Sequence, residues 1–166
     1  MGNIRRSRGY NFEYSLVNRL NTTSWIARRL GGSSTGLPDI VAVNNNRGIL
    51  LTIEAKSGTG DSLYVPSDQI ERCFIITKMF KFYKKRYVIL AFKFMRKKRV
   101  MRNNQREYEK RKLVEYYKNG DMLRRYRKIP VIKCTYNGLT FAINDNETKE
   151  IELPSYNMPF KRKLKT

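Results

Sequence analysis

Two short runs of this sequence hold residue types suited to chemistry on a phosphate. They are Pro38-Asp39 and, fifteen residues after Asp39, Glu54-Ala55-Lys56. Asp39 precedes one apolar run, Ile40-Val41-Ala42-Val43, and Glu54 lies in the next, Ile49 to Lys56. With both runs as strands joined by the turn Asn44-Asn45-Asn46-Arg47-Gly48, a hairpin can bring the two carboxylates to one end of a sheet. Carboxylates a few ångströms apart repel unless a cation neutralises them. Mg²⁺ suits such a pair, because it prefers oxygen ligands, keeps several waters and accepts a substrate phosphate. Mn²⁺ is expected to substitute for it. Side chains alternate along a strand, so Lys56 shares the face of Glu54. There it can orient an attacking water or stabilise charge on a scissile phosphate. The bland reading of Asp39 is a turn former after proline. It weakens once Glu54 and Lys56 follow a buried strand, where a bare charge is costly.

The elements that position these residues must come from a chain of 166 residues and 19.7 kDa, enough for one compact domain. Hydrophobic residues make up 40% of it, so a core can form. Lys and Arg number 35 against 14 Asp and Glu, a formal charge of +21. A compact body with that charge is best read as the partner of a polyanion, nucleic acid above all. The absence of histidine removes His-based zinc sites and Ser-His-Asp or Cys-His catalysis. Cys73 and Cys134 make no metal motif and fit a reducing compartment. No apolar run reaches the ~18 residues of a membrane span, and no secretory h-region follows the N-terminus. The expectation is a soluble cytoplasmic protein associated with DNA, with no membrane partner.

Along the chain, residues 1–9, with Arg5, Arg6 and Arg8, read as a flexible basic arm. A helix is predicted over about Asn11 to Leu20, striped by Phe12, Leu16, Val17 and Leu20, with Glu13 at the edge of its buried face. Trp25-Ile26-Ala27 reads as a strand and Gly31 to Gly36 as a polar loop. Leu63-Tyr64-Val65 is extended, Pro66-Ser67-Asp68 opens a second helix, and Tyr87 to Phe94 is a buried strand. Residues 96–128 carry 14 basic and 4 acidic residues, which reads as an inserted basic helical segment with a helix around Gln105–Lys118. Asn137-Gly138 predicts a type I′ hairpin. The expected organisation is a basic arm over 1–9, a single domain over 10–153 and a mobile basic tail over 154–166.

More of the chain joins the acidic pattern. Arg8-Gly9 precedes Glu13, Arg29 stands four residues before Ser33, and a serine-rich loop precedes Pro38-Asp39. Leu63-Tyr64-Val65 leads into a helix bearing Gln69. In this order, over about residues 5–94, the sequence resembles the archaeal Holliday junction resolvases of the PD-(D/E)XK nuclease superfamily. The resemblance implies a restriction-endonuclease-like α/β fold, a central mixed β-sheet flanked by helices. It implies an active site of Glu13, Ser33 or Ser34, Asp39, Glu54 and Lys56. The metal would be held by Asp39 and Glu54, with Glu13 and the Ala55 carbonyl completing the site. A loop serine and Lys56 would place the water and the phosphate. It further implies a homodimer that nicks four-way junctions and related branched DNA in recombination and repair, leaving 5′-phosphate and 3′-hydroxyl ends. DNA contacts are expected from Arg5, Arg6, Arg8, Arg29, Tyr64, Gln69, Arg96, Lys97, Lys98 and Arg99. Tyr14 follows Glu13 where family members often carry Arg. The competing readings are a nuclease for other branched DNA and a non-catalytic nucleic-acid-binding protein. The carboxylates discriminate against the second, because acids inside a basic field repel phosphate.

Overall fold

The structure is a computed structural model that describes residues 4–31 and 35–162, the first four of them by backbone alone. Its centre is β3 (Ile49–Gly58), whose first seven residues are buried on both faces, the near-continuous apolar run of a central strand. A tight turn after β2 (Ile40–Asn44) makes β2 antiparallel to β3, with Ile40 opposite Ile53 and Asn44 opposite Ile49. Gly48, at φ +63°, supplies the left-handed residue this turn needs. β1 (Ile26–Arg29) extends the sheet beyond β2.

After β3 the chain runs through β4 (Ser62–Val65) and the helix α2 (Ser67–Met79) to β5 (Lys85–Phe94). This crossover makes β5 parallel to β3, with Ala55 beside Ala91 and Gly58 beside Phe94. β8 (Val114–Asn119) closes the far edge antiparallel to β5, giving the mixed order β1-β2-β3-β5-β8. β9 (Val131–Thr135), β10 (Thr140–Asn144) and β11 (Glu147–Ile151) join β4 in a second sheet, ordered β11-β10-β9-β4.

The layers follow from alternation along β3. Ile49, Leu51, Ile53 and Ala55 pack with Phe12, Leu16 and Leu20 of the helix α1 (Ile4–Leu20). The other face meets α2, where the Thr52 hydroxyl donates to the Cys73 carbonyl. Cys73 and Cys134 are both buried and free, small residues of the core. Among the described residues no helix is long and apolar enough to cross a membrane.

Four expectations need correction. Residues 4–9 are not a flexible arm, because α1 already starts at Ile4; Gly9 sits inside that helix with open space around it. The segment 96–128 is not helical. It forms an antiparallel ribbon, β6 (Lys97–Arg102) with β7 (Gln105–Lys110), then β8 and a 3₁₀ turn over Asp121–Arg125. Asn103 and Asn104, at φ 49° and 60°, make the two-residue turn that suits a twisted ribbon. The 137–138 hairpin exists, but not as type I′. Gly138 donates to the Thr135 carbonyl at 2.8 Å, Thr135 pairs with Leu139, and Gly138 at φ +84° ends a three-residue loop. A Cβ on Gly138 would also come 2.7 Å from the Tyr116 ring. Finally, residues 154–162 are packed. Met158 is buried, Tyr156 and Phe160 lie on the α1 side of the core, and the Arg19 guanidinium sits 3.9 Å over the Phe160 ring.

Candidate active site

The β2–β3 register determines where the acids meet. One step beyond the Ile40–Ile53 pair places Asp39 opposite Glu54. Opposed residues on neighbouring strands hold their Cβ atoms about 5 Å apart, and like charges so placed repel. The Ala55 N–H donates to Asp39 Oδ2 at 2.9 Å, which fixes the aspartate at the strand end. In an antiparallel ladder the N–H and C=O of one residue point to the same neighbour, so the Ala55 carbonyl also faces the Asp39 side.

Glu54 is 3% exposed and shares its face with Thr52, toward α2. Lys56, on the same face, donates from Nζ to Glu54 Oε1 at 3.2 Å. Burial, then the charge of Asp39, raises the Glu54 carboxyl to about 8, and Lys56 offsets only part of this. The charged form of Glu54 therefore lacks enough positive charge nearby.

Glu13 reaches the same field from α1. Burial and then the Asp39 charge raise its carboxyl, while Arg29 and Lys56 act the other way. Arg29 Nε donates to Glu13 Oε2 at 2.7 Å, and its guanidinium lies 4.5 Å over the Tyr10 ring. Tyr10 stacks on Tyr14. Sequence reasoning missed the Tyr10–Arg29–Glu13 column; its signal is Tyr10 three residues before Glu13, one helical turn apart.

The structure brings together Glu13, Arg29, Asp39, Glu54, Ala55 and Lys56. The Ser57 hydroxyl lies 3.5 Å from the Arg8 carbonyl, which places the start of α1 by the end of β3. Arg5 and Arg6 stand on the first turns of α1, their side chains outside the described residues, as are Ser33 and Ser34 altogether. Tyr64 is exposed on β4 in the second sheet. Gln69 lies on α2 with its Oε1 shielded and without a hydrogen-bond partner. Arg96, Lys97 and Arg99 are exposed where the ribbon leaves β5, and Lys98 pairs with Asp61 at 3.2 Å.

Among the described residues no three carboxylates or thiols gather into a ready metal cage. The donors are the two opposed carboxylates and a backbone carbonyl, all oxygen. That suits Mg²⁺, which is commonly held by one or two carboxylates and fills its shell with water and substrate phosphate. The excess proton affinity of Glu54 is the observation in favour, since a divalent cation between Asp39 and Glu54 would favour the charged form that burial and then Asp39 disfavour.

A mixed α/β sheet carrying an aspartate at the end of one strand, opposed by Glu-X-Lys on the next, defines a class of acid–acid–lysine sites. The chain belongs to the archaeal Holliday junction resolvase (Hjc) family, whose model matches residues 4–122. It is 37% identical over 83 residues to a crossover junction endodeoxyribonuclease of Sulfolobus islandicus rod-shaped virus 1, a match covering 48% of this chain and 66% of that protein. The matched part thus spans just under two thirds of the viral relative's length. A solved structure of Archaeoglobus fulgidus Hjc, a Holliday junction resolvase from an archaeal hyperthermophile, aligns with a TM-score of 0.48 at 24% identity, over 78% of this chain and 85% of that one.

Proposed function

We propose that the chain is a Mg²⁺-dependent, structure-selective DNA endonuclease that nicks four-way junctions in DNA recombination and repair and works as a homodimer. The carrying observation is the buried Glu54 opposite Asp39 with Lys56 at 3.2 Å, an acid pair that a divalent cation would hold in its doubly charged form. Membership of the resolvase family and the name of the viral relative support the same reading.

Asp39, Glu54 and the Ala55 carbonyl would hold the metal, with Glu13 beside them. When bound, it would supply Lewis-acid polarisation of the phosphate and a more acidic water. Lys56, held on the Glu54 face, neutralises charge gathering on the phosphate oxygens and orients the attacking water. The water oxygen bonds to phosphorus and gives up a proton to solvent, the P–O3′ bond breaks, and the departing 3′ oxygen takes a proton from solvent. The ends are a 5′-phosphate and a 3′-hydroxyl. Arg29 holds Glu13 in place and is a positioning residue. One such site cuts one strand, so resolving a junction takes two subunits related by a two-fold axis.

Asp39→Asn and Glu54→Gln should each lower junction cutting in Mg²⁺ by on the order of 10³-fold, as loss of a group that acts on the transition state does. Junction binding in EDTA should persist or tighten, because removing a carboxylate relieves phosphate repulsion. Cutting by Glu54→Gln at the wild-type rate in Mg²⁺ would refute the assignment. Mixing one of these dead subunits with live ones should give heterodimers that nick one strand without resolving the junction.

A further inference from the structure

We propose that the β6–β7 ribbon is a DNA-gripping element that lies, by one face only, in the major groove of a duplex arm next to the cut site. The proposal rests on the reading of the chain as a DNA nuclease and assigns it a second binding surface, away from the carboxylates.

The argument begins with alternation. Opposed residues of an antiparallel pair point to the same face. The register sets Lys97 opposite Lys110, Arg99 opposite Tyr108 and Met101 opposite Arg106 on one face. The other face holds Lys98 opposite Glu109, Val100 opposite Glu107 and Arg102 opposite Gln105. The second face is neutral and satisfied internally. Arg102 pairs with both Glu107 and Glu109, and Lys98 pairs with Asp61 in the loop after β3. The first face carries four cations and no acid. Among the described residues, none of Lys97, Arg99, Arg106 and Lys110 has an acidic partner, and all six of its residues are exposed. So lopsided a division of charge within one ribbon is what a surface facing a polyanion needs.

The cations surround two exposed groups, Met101 at 61% and Tyr108 at 51%. Beside a phosphate backbone alone they would have no partner, but in a groove they can lie against sugar and base edges. Shape selects the groove. Two strands about 4.8 Å apart, with their side chains, fit an undistorted major groove about 12 Å wide, whereas a minor groove about 6 Å wide must first be opened at the cost of unstacking bases.

The ribbon is anchored where this requires. The Arg99 N–H donates to the Thr59 carbonyl at 2.9 Å, just past the end of β3. Arg111, after β7, donates to the carbonyls of Met95 at 2.8 Å and Gly60 at 3.0 Å, and lies 4.7 Å over the Tyr136 ring. Gly58 stands four residues past Glu54, about 13 Å along the strand, and the ribbon projects from Arg99 to Arg102, three steps or about 10 Å, beyond its contact with Thr59. Both lengths together lie within one helical turn of DNA, about 34 Å.

The test replaces Lys97, Arg99, Arg106 and Lys110 with Gln and compares this variant with a charge-balanced one on the opposite face, Arg102→Gln with Glu107→Gln. Binding to a four-way junction and to linear duplex is measured in EDTA, so that cutting plays no part. The four-cation variant should bind on the order of 10- to 100-fold more weakly near 0.1 M salt, with a log–log salt slope shallower by roughly 3–4 per subunit. The opposite-face variant should match wild type. Double-stranded RNA, whose major groove is too narrow, should be bound more weakly than DNA and be indifferent to the four substitutions.

A second measurement does not depend on that variant. With both native cysteines buried, Met101→Cys provides one reactive thiol for an iron-EDTA tether. Backbone scission should map to one arm, within about one turn of the scissile phosphate. An unchanged salt slope, equal loss on DNA and RNA duplexes, or scission spread over all arms would overturn the ribbon assignment while leaving the nuclease intact. Failure of the wild-type protein to cut junctions, with the slope difference kept on linear duplex, would overturn the nuclease reading and leave the ribbon as a duplex-binding element.

Discussion

The carboxylate end of β3 and the β6–β7 ribbon handle charge in opposite ways. Glu54 is buried against α2 and meets one acid and one cation, Asp39 and Lys56. Its charge is costly there, and the cost appears as a carboxyl raised to about 8 by burial and by Asp39. The ribbon keeps four cations in water, without an acidic partner among the described residues, where an isolated charge costs little and contributes only when a polyanion arrives. The first region holds free energy that a small, highly charged ligand can release on binding. The second waits for a large partner and acts through counterions. A nuclease needs both, because reaction depends on charge confined in a dry place and grip depends on charge spread along a backbone.

The sharpest way to break this contrast is to remove the half-buried cation beside Glu54. Lys56→Met should slow single-turnover cutting of saturating junction in Mg²⁺ by about 10²–10³-fold, the usual effect of deleting a charge that faces the transition state. A rate within threefold of wild type would mean that Lys56 only balances Glu54.

A smaller effect tests the stored energy directly. The folded carboxyl of Glu54 is raised above its ordinary value of 4.5, so without divalent metal the folded state binds the proton more tightly than the unfolded chain. Stability from this group is complete below about 4.5 and is lost as pH rises toward about 8. Glu54→Gln should flatten that decline and stabilise the metal-free protein at pH 8 by about 1–3 kcal/mol, roughly 3–10 °C in melting temperature. Mg²⁺ should raise the wild-type melting temperature at pH 8 and leave the variant nearly unmoved. Parallel pH profiles for the two proteins would show that Glu54 is not strained.

The smallest effect concerns the ribbon's anchor. Arg111 is 8% exposed and spreads its guanidinium over several carbonyls, a fork that lysine cannot reproduce. Arg111→Lys should cost about 1–2 kcal/mol and speed amide hydrogen exchange at Arg99 and Arg111, with the β3–β5 amides unchanged. Equal acceleration in both places would show that the ribbon and the sheet open as one unit.

The same two regions show what can be read from sequence. β2, β3, α2 and β5 were legible because burial imposes a period on them, and Asp39 and Glu54 because one turn fixes their register. The charge-rich ribbon buries almost nothing and has no such period. Its Gln, Arg, Glu and Lys are good helix formers, so local propensity points the wrong way. The informative residues are Asn103-Asn104, a pair that tolerates two positive φ angles, inside a stretch whose composition predicts a helix. At the C-terminus, Tyr156, Met158 and Phe160 recur every second residue, the mark of an extended segment lying on a core, yet the surrounding lysines suggested a loose tail. At the N-terminus the apolar stripe starts only at Phe12, so the helix is predicted from about Asn11, yet a glycine inside a helix costs only about 1 kcal/mol and α1 runs through Gly9 to Ile4.

The ribbon leaves and rejoins the body at one place, where the Arg111 N–H meets the Arg96 carbonyl at 2.6 Å. Everything between those residues can therefore lengthen, shrink or be exchanged without moving β5 or β8, since closing a longer loop adds little entropy cost. Such an insertion is a cassette in the evolutionary sense. On the proposed function, a lineage could keep the carboxylate site unchanged and vary only this projection, so that selection on the binding surface need not disturb the site.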